Sequence, residues 1–587
     1  MLTGRNHHAV GVGCLANFDS GYPGYRGKIS KEAGTLAEML RPHGYRNYML
    51  GKWHVTPLTE SGPGGPYDGW PLGRGFDRFY GFLDAETDQY SPELVRDNTH
   101  VDAPGTFESG YHLSGDLVDQ SIRMLADHQA DCPDKPWLLW LALGAVHAPH
   151  QAPAELIRSY DAVFASGWDA ERDARLIAFL DTAGISDNTI VLVLSDNGAS
   201  QEGGIAGMVN AMGPYNLQFE PVKEKLRRID DIGGPNSHSN FPLGWGMASN
   251  TPLKRYKQNT HGGGIRDPLV VSWPRGIAAR GELRHQFCHA SDFTPTLLGT
   301  LGVSASPAIN GVAQMPLTGA SFAASFTDAK APPRQRPQYF EMFGHRGIWF
   351  EGWKSVAYHA PGTPFENDVW ELYHLDNDFS ENHNLAAQEP ARLQKLIDLW
   401  WQEAETNQVL PLDGRFGPRF SENATRYHGP RKRFVFHRGM GHLPTDVAPD
   451  VRSRNYRIEA EVWLDANVGG TVSSSSVLPP AAAIKMGPIP GAAKISLLID
   501  GAAVREVRAS IDGKPAECAD GVLPATMGFA TLISWSGLDI GRDRGSPVGD
   551  CAAPFAFTGV LRKVTVTLED NQQLDGDAVG RAELARQ

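Results

Sequence analysis

Residues 189–194 read TIVLVL and residues 195–198 read SDNG, and this junction is the clearest fold signal in the chain. A short apolar run rich in β-branched residues is typical of a strand buried inside a sheet. The turn residues that follow at once end the strand and place polar side chains at its carboxyl end. A helix predicted at about residues 171–182 precedes this strand, so the unit is a helix, a strand and a polar loop.

The same arrangement occurs at two earlier places. Residues 137–142, WLLWLA, predict a strand buried on both faces, and VHAPH follows at 146–150. A helix predicted at 34–45 and a short strand at 46–50 lead to GKWH at 51–54. Helices that alternate with strands, with polar motifs just past the strand ends, predict an open α/β sheet with a site along its carboxyl edge.

The pattern changes in the second half of the chain. Short strand signals and an amphipathic helix predict a smaller α+β subdomain over residues 335–425. Residues 426–440 are a predicted linker, and alternating strands with glycine turns predict a β-sandwich over 441–587. The sequence therefore predicts a catalytic domain over residues 1–425, which includes the subdomain, followed by a second, all-β domain.

The composition is that of an ordinary globular protein, with 41% hydrophobic and 21% charged residues among 587. The net charge of −13 argues against nucleic acid as the main partner, because phosphate binding requires clustered lysine and arginine. A small anionic ligand remains compatible with it, since a local pocket can be positive on an acidic protein. No apolar run is long enough to span a membrane and no signal peptide is visible, so the compartment, cytoplasmic or periplasmic, is left open.

Asp196 and Asn197 are candidate metal ligands. A carboxylate and an amide oxygen are hard donors, which suit Ca²⁺ or Mg²⁺ better than zinc. The alternative is a turn that only ends the strand, since Asp, Asn and Gly are also common turn residues.

Lys52 and His54 are candidates for binding an anion. Residues two apart in an extended segment point to the same face, so this pair would offer a cation and a proton donor to an oxyanion. The alternative is a surface lysine beside a hydrogen-bonded histidine.

His147 and His150 follow the second predicted strand and could supply a general acid and a neighbour facing the ligand; for His150 we favour a structural role. They could also bind zinc, but no third histidine stands at a convincing spacing. Lys254 lies before a glycine run at 262–264 and could place a second ammonium on a tetrahedral anion. A phosphate-binding P-loop is excluded, because GxxxxGK[ST] does not occur.

Together and in this order, these segments resemble the arylsulfatase branch of the sulfatase family, in the alkaline-phosphatase-like superfamily. The match extends over residues 1 to about 400. The matching segments are MLTGRNHH at 1–8, GKWH at 51–54, VHAPH at 146–150, SDNG at 195–198, TPLKRYKQNTHGGGIRDP at 251–268, HASDFTPTLL at 289–298 and ELYHLDNDFSENHNL at 371–385. Each motif is moderately specific, whereas the ordered set is very specific.

The resemblance implies an alkaline-phosphatase-like mixed sheet flanked by helices and the hydrolysis of sulfate monoesters at a Ca²⁺ site, with Mg²⁺ as an alternative. By this resemblance, Asp196 and Asn197 look like two metal ligands, and Lys52 and Lys254 look like the sulfate-binding lysines. His54 resembles the histidine beside the formylglycine hydrate. His147 looks like the acid that protonates the leaving alcohol.

The family's nucleophile is a formylglycine, made from the cysteine of a C-x-[PA]-x-R motif that lies immediately before the segment resembling residues 1–8. The sequence starts inside that segment, so this cysteine and the paired aspartates of the family's first strand are absent from it. Cys14 has Phe18 where the motif requires arginine. We therefore expect an N-terminally truncated arylsulfatase that is inactive as written. The alternatives are a non-catalytic binder of anionic or glycan ligands and a related phosphodiesterase or phosphonate hydrolase.

Overall fold

The computed structural model has the predicted α/β class: a mixed sheet with helices, accompanied by further sheets. It describes residues 1–16, 19–145, 147–155, 176–211, 220–279, 281–414, 430–444, 447–451, 454–464, 470–472, 484–486, 491–499, 507–511, 514–516, 538–540, 542–543, 555–556 and 560–570. Residues 171–175 of the predicted helix, Val146 of the VHAPH motif, and 415–429 of the predicted subdomain and linker lie outside these ranges.

The central sheet has five strands in the order β4-β3-β2-β1-β5. Its strands are β1 (Arg46–Lys52), β2 (Arg78–Phe82), β3 (Leu94–Arg96), β4 (Thr99–Val101) and β5 (Trp137–Ala142). β1 pairs in parallel with both β2 and β5, whereas β3 and β4 form an antiparallel extension. The carboxyl ends of β1, β2 and β5 therefore lie at one edge of the sheet.

Several of the described helices pack with this sheet, two of them from the first part of the chain. The short α1 (Leu36–Leu40) begins at a capping box formed by Thr35 and Glu38. The longer α2 (Leu113–Asp131) buries one face, including Leu117 and Leu125, in a core cluster shared with β1 and β2. Each fully buried leucine contributes roughly 1.5–3 kcal/mol through the hydrophobic effect, so this packing holds the parallel strands in place.

The prediction that residues 137–142 are buried on both faces is wrong. All six residues of β5 are only half-buried. The reason is that β5 is an edge strand of the described central sheet, with β1 as its paired neighbour. Its side chains still contact core clusters on both faces, so the apolar run reflects packing without full burial.

The TIVLVL segment forms β6 (Val191–Leu194), which pairs antiparallel with β7 (Leu269–Ser272) as a separate two-stranded sheet. Val193 and Val270 are 42% and 60% exposed. The predicted strand is therefore present, but in the described part of the chain its sheet partner is β7 and not the central sheet.

Short helices fill the region between residues 176 and 300. Residues 176–182 are helical. The other helices are α3 (Val222–Arg227), α4 (Leu243–Ser249), α5 (Gly262–Ile265) and α6 (Phe293–Thr300), followed by the two-residue strands β8 (Ala308–Ile309) and β9 (Val312–Ala313). Among the described residues, no helix is both long and apolar enough to cross a membrane.

A four-stranded antiparallel sheet follows, with one long helix, α7 (Pro390–Thr406), against it. Its strands are β10 (Gln338–Met342), β11 (His345–Phe350), β12 (Trp353–Ala357) and β13 (Trp370–His374). Trp400 of α7 is fully buried in the core between helix and sheet. These elements match the strands and helix expected for the smaller α+β subdomain.

The last part of the chain contains a six-stranded antiparallel sheet in the order β14-β23-β15-β18-β19-β20. The strands after residue 430 are β14 (Arg433–Phe436), β15 (Tyr456–Leu464), β16 (Gly470–Val472), β17 (Ile484–Met486), β18 (Gly491–Ile499), β19 (Val507–Ile511), β20 (Lys514–Ala516), β21 (Arg542–Asp543), β22 (Phe555–Ala556) and β23 (Val560–Leu568). β14 lies inside the predicted linker and pairs with β23. The second layer of the sandwich and the domain boundaries stay predictions.

Candidate active site

The carboxyl end of β1 places Lys52 at the sheet edge. Gly51, one residue earlier, has φ +90, and a Cβ there would lie 1.8 Å from the carbonyl oxygen of Ala142 in β5. Gly81 of β2 sits equally close, since its Cβ would lie 2.0 Å from the Gly51 oxygen. Glycine is therefore required where the three parallel strands meet, and this close approach brings the loops after them together.

The loops after β2 and β5 contribute Glu86 and His147. Glu86 is 3% exposed, and its Oε2 lies 3.6 Å from Nδ1 of His147. The same ring nitrogen is 2.9 Å from the carbonyl oxygen of Ala148. A buried carboxylate and a carbonyl thus both face Nδ1, which orients the imidazole.

Lys257 contacts His147 and adds a second ammonium group to that of Lys52. Its Nζ lies 3.0 Å from Nε2 of His147 and 3.4 Å from Oε1 of Glu202. Because an ammonium can only donate, Nε2 must accept, and the proton of a neutral imidazole then lies on Nδ1, facing Ala148 and Glu86. We refer to Lys52, Glu86, His147 and Lys257 as the cationic cluster.

The charges of the cluster act on Lys52. Burial, and after it the charge of Lys257, lower the pKa of Lys52 to about 8. The carboxylates of Asp196, Glu86 and Asp84 oppose this decrease. Lys52 is therefore a cation at neutral pH that a second cation repels electrostatically, and a bound anion would relieve this repulsion.

Lys254, the second candidate for binding the anion, contacts the four-stranded sheet. Its Nζ donates to Oε2 of Glu371 at 2.7 Å and to the Tyr373 hydroxyl at 2.9 Å, both on β13. Burial opposes ionisation of Glu371, but hydrogen bonds from His261 and then Lys254 hold its pKa well below its usual range. The structure thus ties Lys254 to the four-stranded sheet, and Lys257, three residues later, is the lysine of this loop that contacts His147.

Lys52 and His54 would share one face only if the backbone were extended through both residues. β1 ends at Lys52, and His54 has φ +47, in the left-handed region. The His54 amide donates to the carbonyl of Leu83 at 3.1 Å, and the residue is half-buried. His54 therefore follows β1 in a turn, and its role beside the nucleophile stays a prediction.

Asp196 and Asn197 lie in a turn after β6 whose backbone is tightly packed. A Cβ on Gly198 would lie 1.6 Å from the Gly263 oxygen, so the turn presses directly on the glycine run. Asp196 is exposed. The charge of Asp196 acts on both Lys52 and Asp267. Burial, and after it the charge of Asp196, raise the pKa of Asp267 to about 6.

The side-chain oxygens of Asp196 and Asn197 are of the type that a hard cation binds, but two ligands are fewer than such a cation requires. Asp196 offers an exposed carboxylate, and Asn197, whose Nδ2 donates to the Gly198 oxygen at 3.0 Å, offers its amide oxygen. Ca²⁺ prefers six to eight oxygen ligands. Within the described ranges, no three His, Cys, Asp or Glu side chains form a metal-binding group.

His150 lies at the border of the cationic cluster. Its amide donates to the Ser239 carbonyl at 3.2 Å, and its ring centroid is 4.6 Å from that of Phe241. Burial, and then the charge of Lys257, lower the pKa of His150 to about 4, so it is neutral at physiological pH. The structural role favoured for His150 stays a prediction.

Sequence reasoning missed Glu86 and Lys257. A signal for Glu86 existed, because the run DAETD at 84–88 follows a strand-like segment just as SDNG follows β6. No comparable signal separated Lys257 from Lys254, since both lie in the same irregular loop. Only the packing of that loop distinguishes them.

Comparisons with known proteins concern the family and the fold of the chain. A family model described as Sulfatase matches residues 1–303, slightly more than half of the chain. A second model, described as N-sulphoglucosamine sulphohydrolase, C-terminal, matches residues 254–406. Together they extend over the central sheet and the four-stranded sheet.

Among curated relatives, an uncharacterized sulfatase of Schizosaccharomyces pombe is 26% identical over 70% of this chain and 85% of its own length. An arylsulfatase of Klebsiella aerogenes is 23% identical over 59% of this chain and 83% of its own. A solved structure titled Ps i-CgsB has a TM-score of 0.52 at 20% identity, covering 73% of this chain and 86% of that one. That structural likeness concerns the fold.

Proposed function

The chain belongs to the sulfatase family, whose chemistry is the hydrolysis of sulfuric esters, and from this premise we propose that it binds sulfate monoesters at an arylsulfatase-type site that depends on Ca²⁺. The expectation that residues 1–587 by themselves show little or no turnover stays a prediction. The single observation that carries the proposal is the cationic cluster. Two ammonium groups and one imidazole meet where three parallel strands end, with the Lys257 ammonium 3.0 Å from the His147 ring. In open α/β sheets, this edge is where ligands bind.

Lys52 and Lys257 bind the non-bridging oxygens of the sulfate group in this proposal. A sulfate monoester carries one negative charge spread over three oxygens, and two adjacent ammonium groups complement it. Positive groups held in place before the reaction stabilise the charge that develops in the transition state, and this stabilisation commonly accounts for most of the rate enhancement.

His147 is the group that protonates the leaving alcohol in this proposal. In its protonated form it gives a proton to the ester oxygen as the bond from sulfur to that oxygen breaks and an attacking group from outside the cluster bonds to sulfur. Glu86 faces Nδ1 and stabilises the imidazolium. Lys257, which donates to Nε2, keeps its charge for the sulfate oxygens.

Asp196 and Asn197 would hold the cation by their side-chain oxygens. A bound Ca²⁺ would supply Lewis-acid chemistry to the sulfate group. The exposure of Asp196 supports this assignment, because an exposed carboxylate can bind a cation without first breaking a buried ion pair.

The test uses the purified chain with nitrophenyl sulfate and nitrophenyl phosphate, each with Ca²⁺ and with a chelator. We expect the sulfate ester to bind in preference to the phosphate ester, and any turnover to depend on Ca²⁺. Sulfate binding with no turnover in either condition would favour the non-catalytic anion binder. Preferential cleavage of the phosphate ester would overturn the proposal in favour of a phosphodiesterase-like or phosphonate-hydrolase activity.

A further inference from the structure

Arg255 occupies a strained position in the loop that carries Lys257. Its φ is +67, in the left-handed region that a residue with a long side chain rarely adopts. Gln258, on the other side of Lys257, has φ +74. Such backbone outliers persist only where the surrounding structure fixes them, and they are common at ligand-binding sites. The loop is thus held in an unfavourable conformation around an arginine that the proposed function does not use.

The Arg255 side chain is half-buried and stacks on an aromatic ring. Its guanidinium carbon lies 4.1 Å from the ring centroid of Tyr358, the residue after β12. The Tyr358 ring stacks in turn on His345, with centroids 4.7 Å apart and planes inclined by 26°. His345 is itself fixed, because its Nδ1 accepts from the His359 amide at 3.0 Å. A guanidinium stacked in this way keeps its N–H groups at its edge, where they can donate to an anion.

Within the described residues, no carboxylate neutralises the Arg255 guanidinium. Its buried Nε has no hydrogen-bond partner there, and the side chain forms no ion pair with a described Asp or Glu. By contrast, Arg74, Arg334 and Arg346, each with 3% of the side chain exposed, all pair with a carboxylate. Burying a charge is costly unless the charge is paired. A bound anion would supply the pairing that Arg255 lacks in this part of the chain.

Backbone contacts hold Arg255 beside the proposed sulfate site. Asn250 donates through Nδ2 to the Arg255 carbonyl at 3.1 Å and accepts through Oδ1 from the Ala199 amide at 2.8 Å. The Lys257 amide donates to the Ala199 carbonyl at 3.1 Å. Because Arg255 and Lys257 are two residues apart, their Cα atoms lie within about 7 Å of each other. An ester larger than its sulfate group can therefore extend from Lys257 to Arg255.

We propose that Arg255 binds a second anionic group of the sulfate ester, a carboxylate or another sulfate, and so gives the site a preference for dianionic esters. This rests on the proposed function, because the first sulfate group is taken to be held by Lys52 and Lys257. Carboxylate and sulfate both present pairs of oxygens that accept from two N–H groups of one guanidinium. On a chain with a net charge of −13, a dianion requires local positive charge of this kind.

The experiment measures binding to the full chain with Ca²⁺ present, by isothermal titration. The ligands are inorganic sulfate and three esters with the same four-carbon chain: butyl sulfate, sulfooxybutanoate and butanediol disulfate. Arg255→Gln removes the charge, Arg255→Lys keeps the charge without the planar N–H groups, and Arg392→Gln is the matched control. The Arg392 guanidinium carbon also lies over a ring, 4.3 Å from the centroid of Trp353, but Arg392 pairs with Glu389 on α7.

We expect the unmodified chain to bind at least one of the two dianions about tenfold more tightly than butyl sulfate, the scale of one charge-assisted contact. Arg255→Gln should abolish this preference and change inorganic sulfate binding less than about threefold. Arg255→Lys should retain about a threefold preference, because a lysine offers charge without the bidentate geometry. Arg392→Gln should retain the whole preference. The dianion that binds more tightly identifies the second group as a carboxylate or a sulfate.

Three results would overturn the proposal. Equal binding of butyl sulfate and both dianions, with inorganic sulfate still bound, would remove the second anion site and leave the proposed function intact. A preference for a dianion that persists in Arg255→Gln, or that is lost equally in Arg392→Gln, would show that Arg255 does not bind the second group. Failure of inorganic sulfate to bind would overturn the proposed function, and the second anion site with it.

Discussion

The cationic cluster and the Asp196–Asn197 turn are held in place in different ways. In the cluster, the side chains are buried or half-buried, and His147 contacts both Glu86 and Lys257. In the turn, the backbone is tightly packed through Gly198, while the carboxylate of Asp196 is exposed. The cluster is thus organised before any ligand binds, whereas the turn offers oxygens whose arrangement a cation would complete.

The largest expected effect is on stability, and it compares Gly51, next to Lys52 of the cationic cluster, with Gly198 in the Asp196–Asn197 turn. Gly51→Ala should lower the free energy of unfolding by about 3–5 kcal/mol, because the new Cβ meets the backbone of β5 and the residue needs φ +90. Gly198→Ala should cost less, about 1–3 kcal/mol, because Gly198 does not need a left-handed φ and its turn lies outside the central sheet, although its Cβ also meets backbone. Denaturant unfolding of both variants measures this, and equal losses would contradict the difference between the two regions.

The next effect distinguishes the two lysines of one loop. Lys257→Met should weaken turnover or binding of a sulfate ester about a hundredfold, because it removes a charge from the cluster. Lys254→Met is the matched control and should change ester binding less than about threefold, since Lys254 pairs with Glu371 instead. Isothermal titration with inorganic sulfate makes the comparison, and the reverse ranking would restore Lys254 as the sulfate-binding lysine.

A smaller effect tests the turn. Asp196→Asn should abolish the increase in melting temperature that Ca²⁺ produces, because it removes the charged ligand. Asp187→Asn serves as control, since Asp187 is an exposed carboxylate just before β6 that pairs with Arg275. Thermal unfolding with and without Ca²⁺ measures both, and an unchanged Ca²⁺ response in Asp196→Asn would place the cation elsewhere.

The smallest expected effect is a pH dependence of the cluster. The pKa of Lys52 is lowered to about 8, so its ammonium is present below that pH and is lost as the pH rises through it. Sulfate affinity should therefore fall above about pH 8 by up to about tenfold. Lys52→Arg should remove this decline, because a guanidinium stays protonated. Affinity that is flat to about pH 10 in the unmodified chain would show that Lys52 does not bind the anion.

The sequence alone determined the fold class, because each periodic pattern is a local property. The apolar run at 137–142 is β5, and the pattern near residues 390–405 is α7. The ordered motifs were also sufficient to identify the family, because their residues and their order are properties of the sequence itself. The segments that contain Lys52 and His147 follow β1 and β5, as the sequence predicted.

The tertiary structure decided which residues contact each other and how deeply each strand is buried, which the periodicity of the sequence does not encode. The choice between Lys254 and Lys257 depends on how an irregular loop packs against β13 and Glu202, and no repeat in the sequence records it. The half-burial of β5 follows from its place at the edge of the described sheet, which depends on strand order and not on the strand's own residues. The physical reason is the same in both cases. The chemistry of a side chain is a local property, whereas its burial and its contacts depend on residues that are distant in the chain.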